Sequence, residues 1–333
     1  MYPPPSASCL ADPLFVPVLT HYRIEAPGGI DAGRMLAQIR HIRSSVRQVM
    51  LAGSTGDGWE LKDSAFDALI DLAATQDIVA LDLSLIFGAL RPTTEAVIAR
   101  LQHLENRLSQ DATLKARVSA AVICPPVDPD ASQAAILDHY EAVFAASELP
   151  IAVYQLPQVT GCVIAPETFA SLAAHPRVTL FKDSSGQDAV ARSDHDYGTA
   201  ALVRGAEGGY LDALKPIGPY DGWLLSTGNV LGGPLRQLLA LKAAGEIEQA
   251  EALSQHLAAV VGDVFAAAAD EGGANVFSNA NRAMDHLAAY GETWRDAPLP
   301  LKVDGQPLSA KLIDRTAGLC GDLILRTGSG YLG

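Results

Sequence analysis

The stretch RVTLFKDSSG, residues 177–186, determines how the rest of the chain is interpreted. Val, Thr, Leu and Phe follow the arginine, and these residue types favour a short buried strand. The strand ends on Lys182, and polar residues and a glycine follow at once. Desolvation at the end of an apolar strand lowers the pKa of a lysine, and the neutral amine is a nucleophile. Lys182 is therefore a candidate Schiff-base lysine, and the alternative is a structural lysine paired with a carboxylate such as Asp183.

A second strand pattern lies upstream, in LPIAVYQLPQVTG at residues 149–161. This strand ends on Tyr154, and a turn that contains proline follows. Residues 166–175, PETFASLAAH, have proline at a helix start and apolar residues at helical spacing. The result is a strand–helix–strand unit with an ionisable residue at the carboxyl end of each strand. In a parallel α/β barrel, that end carries the chemistry.

Strand and helix patterns alternate about eight times along the chain. This alternation predicts an α/β protein, a parallel (β/α)8 TIM barrel, rather than an antiparallel fold. Further helix patterns follow the barrel. Strands are predicted at residues 14–20, 48–53, 78–87, 117–124, 149–154, 177–182, 200–205 and 222–227, barrel helices at 30–47, 62–75, 92–108, 132–146 and 166–175, and later helices at 243–257, 258–269 and 275–290.

The chain is predicted to divide into a loose extension at residues 1–12, the barrel at 13–235 and a helical region at 236–333 that packs on the barrel. Its net charge of −14 argues against nucleic acid or an anionic membrane as a partner. The N-terminus lacks the features of a signal peptide, and no apolar run reaches the roughly eighteen residues of a membrane span. Four scattered cysteines without a C-x-x-C pair indicate neither a zinc site nor a disulfide scaffold, so a cytoplasmic location is expected.

The loop GSTGDG, which begins at Gly53, follows the second predicted strand. Its order is G-x-x-G-x-G rather than the G-x-G-x-x-G of dinucleotide folds, which disfavours a nucleotide site. Glycines allow backbone N–H groups to approach a carboxylate, and the hydroxyls of Ser54 and Thr55 add donors. The alternative is a tight turn into a helix that Asp63 or Ser64 caps.

Four separated motifs together resemble those of the dihydrodipicolinate synthase / N-acetylneuraminate lyase family of class I aldolases and dehydratases. The resemblance covers roughly residues 12–320, and the motifs occur in the order of the family and near its spacing. It implies a (β/α)8 barrel that is usually a tetramer. The motifs are YQLPQVTG with LFKDSSG about twenty residues later, LAGSTGDG at 51–58, and LLSTGN at 224–229 followed by RQLLALKAAGEIEQAEAL at 236–253.

The resemblance also implies a reaction. The Lys182 amine adds to the ketone of a 2-oxo acid, and the resulting iminium allows a C3–C4 bond to break or form without a metal or another cofactor. Tyr154 matches the family's proton shuttle, with Ser54 or Thr55 as the next hydroxyl in the relay. Without the Lys182 motif, the favoured interpretation of Tyr154 would be a core aromatic whose hydroxyl finds a partner. The loop from Gly53 to Thr55 matches the segment that holds the substrate carboxylate.

Two departures from the family pattern concern the substrate. Val159 stands where the lysine-biosynthetic synthases have an arginine that grips a second carboxylate, and PPVD at residues 125–128 replaces their tyrosine pair. Both differences argue against aspartate semialdehyde as the substrate. Asp57 replaces the usual glutamate of the second motif, and we expect it to cap the following helix.

The loop GAEGG at residues 205–209 lies where the lyases of the family contact polyhydroxylated substrates. Glu207 is therefore a candidate ligand for a substrate hydroxyl, the alternative being a solvated loop glutamate. The Gly205 backbone is expected to line the pocket, and Ser226 is a candidate for a further polar contact.

The sequence thus predicts a Schiff-base lyase that forms a homo-oligomer, a tetramer or a dimer, an aldolase that acts on pyruvate or a 2-oxo-3-deoxy sugar acid. Two alternatives stay open at this point. One is a sugar-acid dehydratase that uses the same lysine. The other is a non-catalytic protein that binds 2-oxo acids.

Overall fold

The computed structural model describes residues 12–24, 28–272, 275–325 and 328–333. Eight parallel strands pair in sequence order, and β1 closes the barrel against β8 with Leu14 opposite Trp223. The predicted (β/α)8 barrel is confirmed. The strands are β1 (Leu14–Pro17), β2 (Gln48–Leu51), β3 (Ser84–Gly88), β4 (Val118–Ile123), β5 (Ile151–Gln155), β6 (Val178–Asp183), β7 (Ala201–Arg204) and β8 (Gly222–Leu224).

Helices connect the strands and continue after the last one. The connecting helices are α1 (Ala32–Ile42), α2 (Asp63–Ala74), α3 (Gln76–Val79), α4 (Thr94–Gln110), α5 (Ala112–Arg117), α6 (Gln133–Ala146), α7 (Pro157–Thr160), α8 (Pro166–Ala173) and α9 (Tyr210–Ala213). The helices after β8 are α10 (Gly228–Ala244), α11 (Ile247–Glu271), α12 (Val276–Tyr290) and α13 (Ala310–Ile324).

Side-chain alternation along each strand separates two layers of core. One face of every strand packs outward against the helices, as Val16, Val49 and Phe181 do. The other face fills the inside of the barrel. The buried residues of this inner cluster are Phe15, Met50, Ile86, Leu90, Ala120, Val122, Cys124, Ala152, Tyr154, Leu156, Leu180, Val203 and Leu224.

Several predicted elements were wrong in their boundaries; helix α1, for example, ends at Ile42 rather than at residue 47. The third strand begins at Ser84 rather than at residue 78, because Asp82 has a positive φ and turns the chain after the short helix α3. The predicted helices at 243–257 and 258–269 are one helix, α11. The break lies earlier, at Gly245, whose φ of 78° ends α10. Helix α13 had no counterpart among the predicted elements.

The proposed division of the chain at residue 235 stays a prediction, and it falls inside α10. Of the predicted loose extension, only Asp12 belongs to the described residues. Its carboxylate accepts two hydrogen bonds of 2.8 Å from Arg236 and one of 3.0 Å from the Leu14 N–H. The beginning of the barrel is thereby fastened to α10.

Helix α11 is long and apolar enough to cross a membrane, judged by length and composition alone. The core helix of a water-soluble protein meets the same test, and α11 buries Leu257, Val261 and Val264 inside the molecule. Val264 packs in a separate apolar cluster with α12 and α13 that includes Met284 and Leu312. The expectation that no membrane is a partner stays a prediction.

Candidate active site

Lys182 and Tyr154 lie side by side at the carboxyl end of the barrel. They are register partners in the parallel pair of β6 and β5, and the Lys182 Nζ lies 4.0 Å from the centroid of the Tyr154 ring. Lys182 is only 4% exposed. Burial lowers its pKa from 10.5 to about 7, and the nearby Cys124 and Glu207 act in the opposite direction. A large fraction of this amine is therefore neutral near pH 7, as a nucleophile requires.

The Tyr154 hydroxyl has two serine neighbours. Ser184 Oγ donates to it at 3.5 Å, and the Ser54 hydroxyl lies close enough to lower its pKa. Burial raises the pKa of Tyr154, and these two hydroxyls reduce the effect. The phenol is therefore protonated at neutral pH and can exchange its proton only through a chain of hydrogen bonds.

The GSTGDG loop turns sharply at the end of β2. Ser54–Gly56 form one turn of 3-10 helix, and the Trp59 indole Nε1 donates to Ser54 Oγ at 3.1 Å. A side chain at Gly56 would lie 2.7 Å from the Val18 carbonyl oxygen, so this position needs a glycine. Trp59 was not among the predicted site residues, although it directly follows the loop and points back to it.

Asp57 does not cap the next helix, contrary to expectation. Its side chain is fully buried and forms an ion pair with Arg282 of α12. Helix α2 begins after Lys62 without a side-chain cap, so the alternative of capping by Asp63 or Ser64 was also wrong. Asp63 instead accepts a hydrogen bond from Arg100 at 2.6 Å.

Glu207 lies partly buried in the loop after β7, and the structure fixes both of its carboxylate oxygens. Oε1 accepts from the Ser226 hydroxyl at 3.1 Å and the Thr227 N–H at 3.0 Å. Oε2 accepts from the Thr227 hydroxyl at 2.8 Å and the Tyr210 hydroxyl at 3.1 Å. Burial raises the pKa of Glu207, while these donors lower it. The alternative of a solvated loop glutamate is therefore wrong, and Ser226 contacts Glu207.

Gly205 lies directly against the lysine. A Cβ at this position would be 2.8 Å from the Lys182 Cε and would collide with the Ser184 hydroxyl. The Gly205 N–H donates to the Asp183 carbonyl at 2.6 Å, which draws β7 close to β6. The missing side chain leaves room for the lysine to lie in the barrel.

The two departures from the family pattern lie in adjoining loops. Val159 is in α7 and is 41% exposed, and Val127 is in the loop after β4. The Asp128 N–H donates to the Thr160 carbonyl at 3.0 Å and holds the loops together. Inside the barrel mouth, three apolar residues that the sequence analysis missed share the cluster of Tyr154, and Trp59 packs against it. These residues are Leu90, Cys124 and Leu156.

Within the described ranges, no group of three or more His, Cys, Asp or Glu side chains is arranged to hold a metal ion. The expectation that the reaction uses neither a metal nor another cofactor stays a prediction.

A closed parallel barrel with a buried lysine of lowered pKa beside a buried tyrosine defines a class: (β/α)8-barrel enzymes equipped for carbonyl chemistry. A model of the Dihydrodipicolinate synthetase family matches residues 14–272, and the chain belongs to this family. The resemblance read from the motifs is thus confirmed. The chain is a lyase-type enzyme of this family, which sets aside the non-catalytic alternative.

Among its relatives is the 4-hydroxy-tetrahydrodipicolinate synthase of Xanthomonas campestris pv. campestris, with 30% identity over 234 residues, 68% of this chain and 72% of that protein. The chain also resembles two solved structures. The prophage protein YagE from E. coli K12, solved with pyruvate, is 20% identical with a TM-score of 0.72 over 94% of this chain and 98% of that one. KD(P)GA from T. tenax is 19% identical with a TM-score of 0.69 over 94% and 100%. At these identities the two structures support the fold alone.

Proposed function

We propose that this chain is a Schiff-base-forming aldolase that acts on a 2-oxo acid. The observation that carries the proposal is Lys182, buried at the end of β6 with a pKa of about 7 and 4.0 Å from the Tyr154 ring centroid. Few buried lysines without a carboxylate partner are retained for stability alone, because desolvation of an amine is costly.

In the proposed reaction, the neutral Lys182 amine attacks the C2 carbonyl of the 2-oxo acid. Two protons convert the carbonyl oxygen to water, which leaves, and a C2=N iminium forms. In the cleavage direction, the C4 hydroxyl loses its proton, the C3–C4 bond breaks to an aldehyde, and the electron pair gives an enamine. A proton added at C3 regenerates the iminium, and water then releases the shortened 2-oxo acid and the free amine.

We assign the proton transfers to Tyr154. The Ser54 hydroxyl lies close enough to lower the pKa of Tyr154, and the Trp59 indole donates to the Ser54 oxygen. Because the indole is a donor only, it occupies an acceptor site of Ser54 and leaves the serine proton for Tyr154 or the substrate. The raised pKa of Tyr154 means that such a relay, rather than free phenolate, supplies the base.

We assign the binding of the substrate carboxylate to the turn from Gly53 to Thr55. Backbone N–H groups and the two hydroxyls in a tight turn form an anion site of the kind that short glycine-containing loops provide. Gly205 leaves space for the lysine beside this turn. These assignments rest on the positions of the side chains and on the match to the family motifs.

The substrate is pyruvate with an uncharged aldehyde, or a 2-oxo-3-deoxy sugar acid in the reverse direction. The curated relatives are named as 4-hydroxy-tetrahydrodipicolinate synthases. By the resemblance of the motifs, Val159 stands where the lysine-biosynthetic synthases have an arginine, and Glu207 adds a negative charge close enough to Lys182 to affect its pKa. A second carboxylate on the substrate would therefore meet an apolar side chain and an anion. We also propose a homo-oligomer in the cytoplasm, in keeping with the family.

Exchange of the C3 hydrogens of pyruvate for deuterium tests this proposal. Iminium formation makes these hydrogens acidic, so the methyl signal of pyruvate in D2O should disappear in the proton NMR spectrum when the enzyme is added. Lys182→Met should show no exchange above background. Lys215→Met, which removes a surface lysine paired with Asp221, serves as the control and should exchange like the parent. Exchange by Lys182→Met at the parental rate would assign the nucleophile elsewhere.

The reaction products distinguish an aldolase from the alternative, a dehydratase. A 2-oxo-3-deoxy sugar acid that loses a carbon fragment supports the aldolase. Release of water with the carbon chain intact would instead identify a dehydratase that uses the same iminium.

A further inference from the structure

Helix α12 contacts the backbone of the GSTGDG turn, although more than two hundred residues separate them in sequence. Asn275 Nδ2 donates to the Ser54 carbonyl at 2.9 Å and to Asp57 Oδ1 at 2.8 Å. Ser278 Oγ donates to the Thr55 carbonyl at 2.8 Å. The first turn of α12 thus binds the outer side of the segment to which the substrate carboxylate is assigned.

These contacts orient a backbone donor. In a planar trans peptide, the C=O and N–H groups point in opposite directions. Because Asn275 binds the Ser54 carbonyl, the N–H of the same peptide unit, that of Thr55, points away from α12. The next peptide is fixed from both sides, because Ser278 binds the Thr55 carbonyl and the Gly56 N–H donates to the Gly53 carbonyl at 2.9 Å. The Gly56 N–H is thus used within the turn, and the helix determines which way the Thr55 N–H faces.

A buried ion pair adds to this attachment. Asp57 and Arg282 are each almost wholly buried and pair directly, and the Tyr22 hydroxyl donates to Asp57 Oδ2 at 2.8 Å. Arg282 also donates to the Thr20 carbonyl at 3.2 Å, and the Thr20 hydroxyl donates to the Gly56 carbonyl at 2.7 Å. The arginine thus links the loop after β1 to the turn. It also neutralises a carboxylate that lies two residues after Thr55.

We propose that Ser278, Asn275 and Arg282 are positioning residues for the carboxylate of the 2-oxo acid. Asn275 and Ser278 both donate to the Ser54 carbonyl and so orient the Thr55 N–H, and Arg282 keeps the Asp57 charge from opposing the negative charge of the substrate. This inference rests on the proposed function, because it requires the turn to bind a carboxylate. It makes a helix outside the barrel a part of the substrate site.

Ser278→Ala tests the orientation of the donors. Ser278 Oγ lies 2.8 Å from the Thr55 carbonyl oxygen and 3.3 Å from the Ser54 carbonyl oxygen, which belongs to the same peptide as the Thr55 N–H. Loss of this hydroxyl should raise KM for pyruvate about fivefold, because one neutral hydrogen bond accounts for roughly that factor. The maximal rate should change less than twofold, since Lys182 and Tyr154 are untouched. Ser309→Ala is the matched control: this serine caps α13 by accepting from the Leu312 N–H at 3.3 Å. The control should lower the melting temperature without raising KM, and an unchanged KM in Ser278→Ala would overturn this part of the proposal.

Two variants test whether Arg282 neutralises the Asp57 charge. One is Arg282→Met alone, and the other combines Arg282→Met with Asp57→Asn. The single variant leaves an unpaired carboxylate near the turn and should raise KM for pyruvate tenfold or more. The double variant removes that carboxylate and should recover at least a third of the lost affinity. A merely structural arginine would give a double variant with a KM no better than that of the single one. Arg236→Met breaks the other attachment of a C-terminal helix, to Asp12, and should leave KM unchanged.

Borohydride trapping separates failure of this inference from failure of the proposed function. If the parent forms no covalent adduct with pyruvate at any concentration, the proposed function fails. If the parent and Ser278→Ala form the adduct with the same half-saturating pyruvate concentration, the proposed function stands and the positioning role is refuted. Where Arg282→Met does not fold, Arg282→Lys with the same readout replaces it, and the expected rise in KM is about threefold because the bond to the Thr20 carbonyl is lost.

Discussion

Replacement of Lys182 by methionine should abolish activity and at the same time stabilise the protein. Methionine has a similar length and no charge, so it fills the space beside Tyr154 without the cost of burying an amine. The pKa of Lys182 is about 7 in the folded chain, against 10.5 for an exposed lysine. At pH 7 this difference lowers the free energy of unfolding of the parent protein by roughly 4 kcal/mol.

The difference between the folded and unfolded pKa values of Lys182 also determines how the stability of the parent changes with pH. Between pH 7 and 10.5 the unfolded chain binds more protons than the folded chain at this position, so the stability of the parent rises with pH in this window. Lys182→Met lacks this contribution. Its advantage over the parent should therefore be largest at pH 7 and below, and it should shrink as the pH rises towards 10.

Urea unfolding at pH 6, 8 and 9.5, followed by circular dichroism, measures this effect. The midpoint of Lys182→Met should exceed that of the parent most at pH 6. Lys215→Met, on the surface and paired with Asp221, is the control and should show no gain at any of these pH values. A Lys182→Met protein that is less stable than the parent, or an advantage that does not vary with pH, would refute the reasoning.

Three further variants test the remaining assignments. Tyr154→Phe should lower turnover about a hundredfold and leave the melting temperature within a few degrees, because a positioned acid–base group is lost; an unchanged rate would reduce Tyr154 to a packing role. Glu207→Gln should move the acidic limb of the pH–rate profile to lower pH, because the Glu207 charge raises the pKa of Lys182; an upward shift would contradict this. Gly205→Ala should cost about a hundredfold in turnover by displacing the lysine, whereas Gly262→Ala, which meets no atom within 4 Å, should leave turnover unchanged.

The fold could be predicted because its signals are local. Each barrel strand is a short apolar run followed by a turn, and two of them carry an ionisable residue next to their carboxyl ends, where parallel pairing must bring the two together. Lys182 and Tyr154 are register partners for this reason. The boundaries of elements were harder to predict in two places. Apolar residues continue through the turn at Asp82, and the alanine-rich sequence of α11 does not show that it forms one continuous helix.

The environment of the site could not be predicted, because it depends on contacts between distant segments. Nothing near Asp57 in sequence indicates that it pairs with Arg282, and local reasoning instead favoured a helix cap. The same holds for Glu207, whose carboxylate is fixed by Thr227 and Ser226 from the following strand end. The helix at residues 275–290 could be predicted, but not the contact between Asn275, which caps it, and the turn.

Borohydride reduction in the presence of pyruvate tests the central claim most directly. The reduced adduct is stable, so intact mass and peptide mapping report both its formation and its position. We expect one adduct per chain, on Lys182, at a rate that rises as the pH increases through about 7. No adduct should form in Lys182→Met. An adduct on another lysine, or none with pyruvate or any longer 2-oxo acid, would contradict the assignment of Lys182 as the nucleophile.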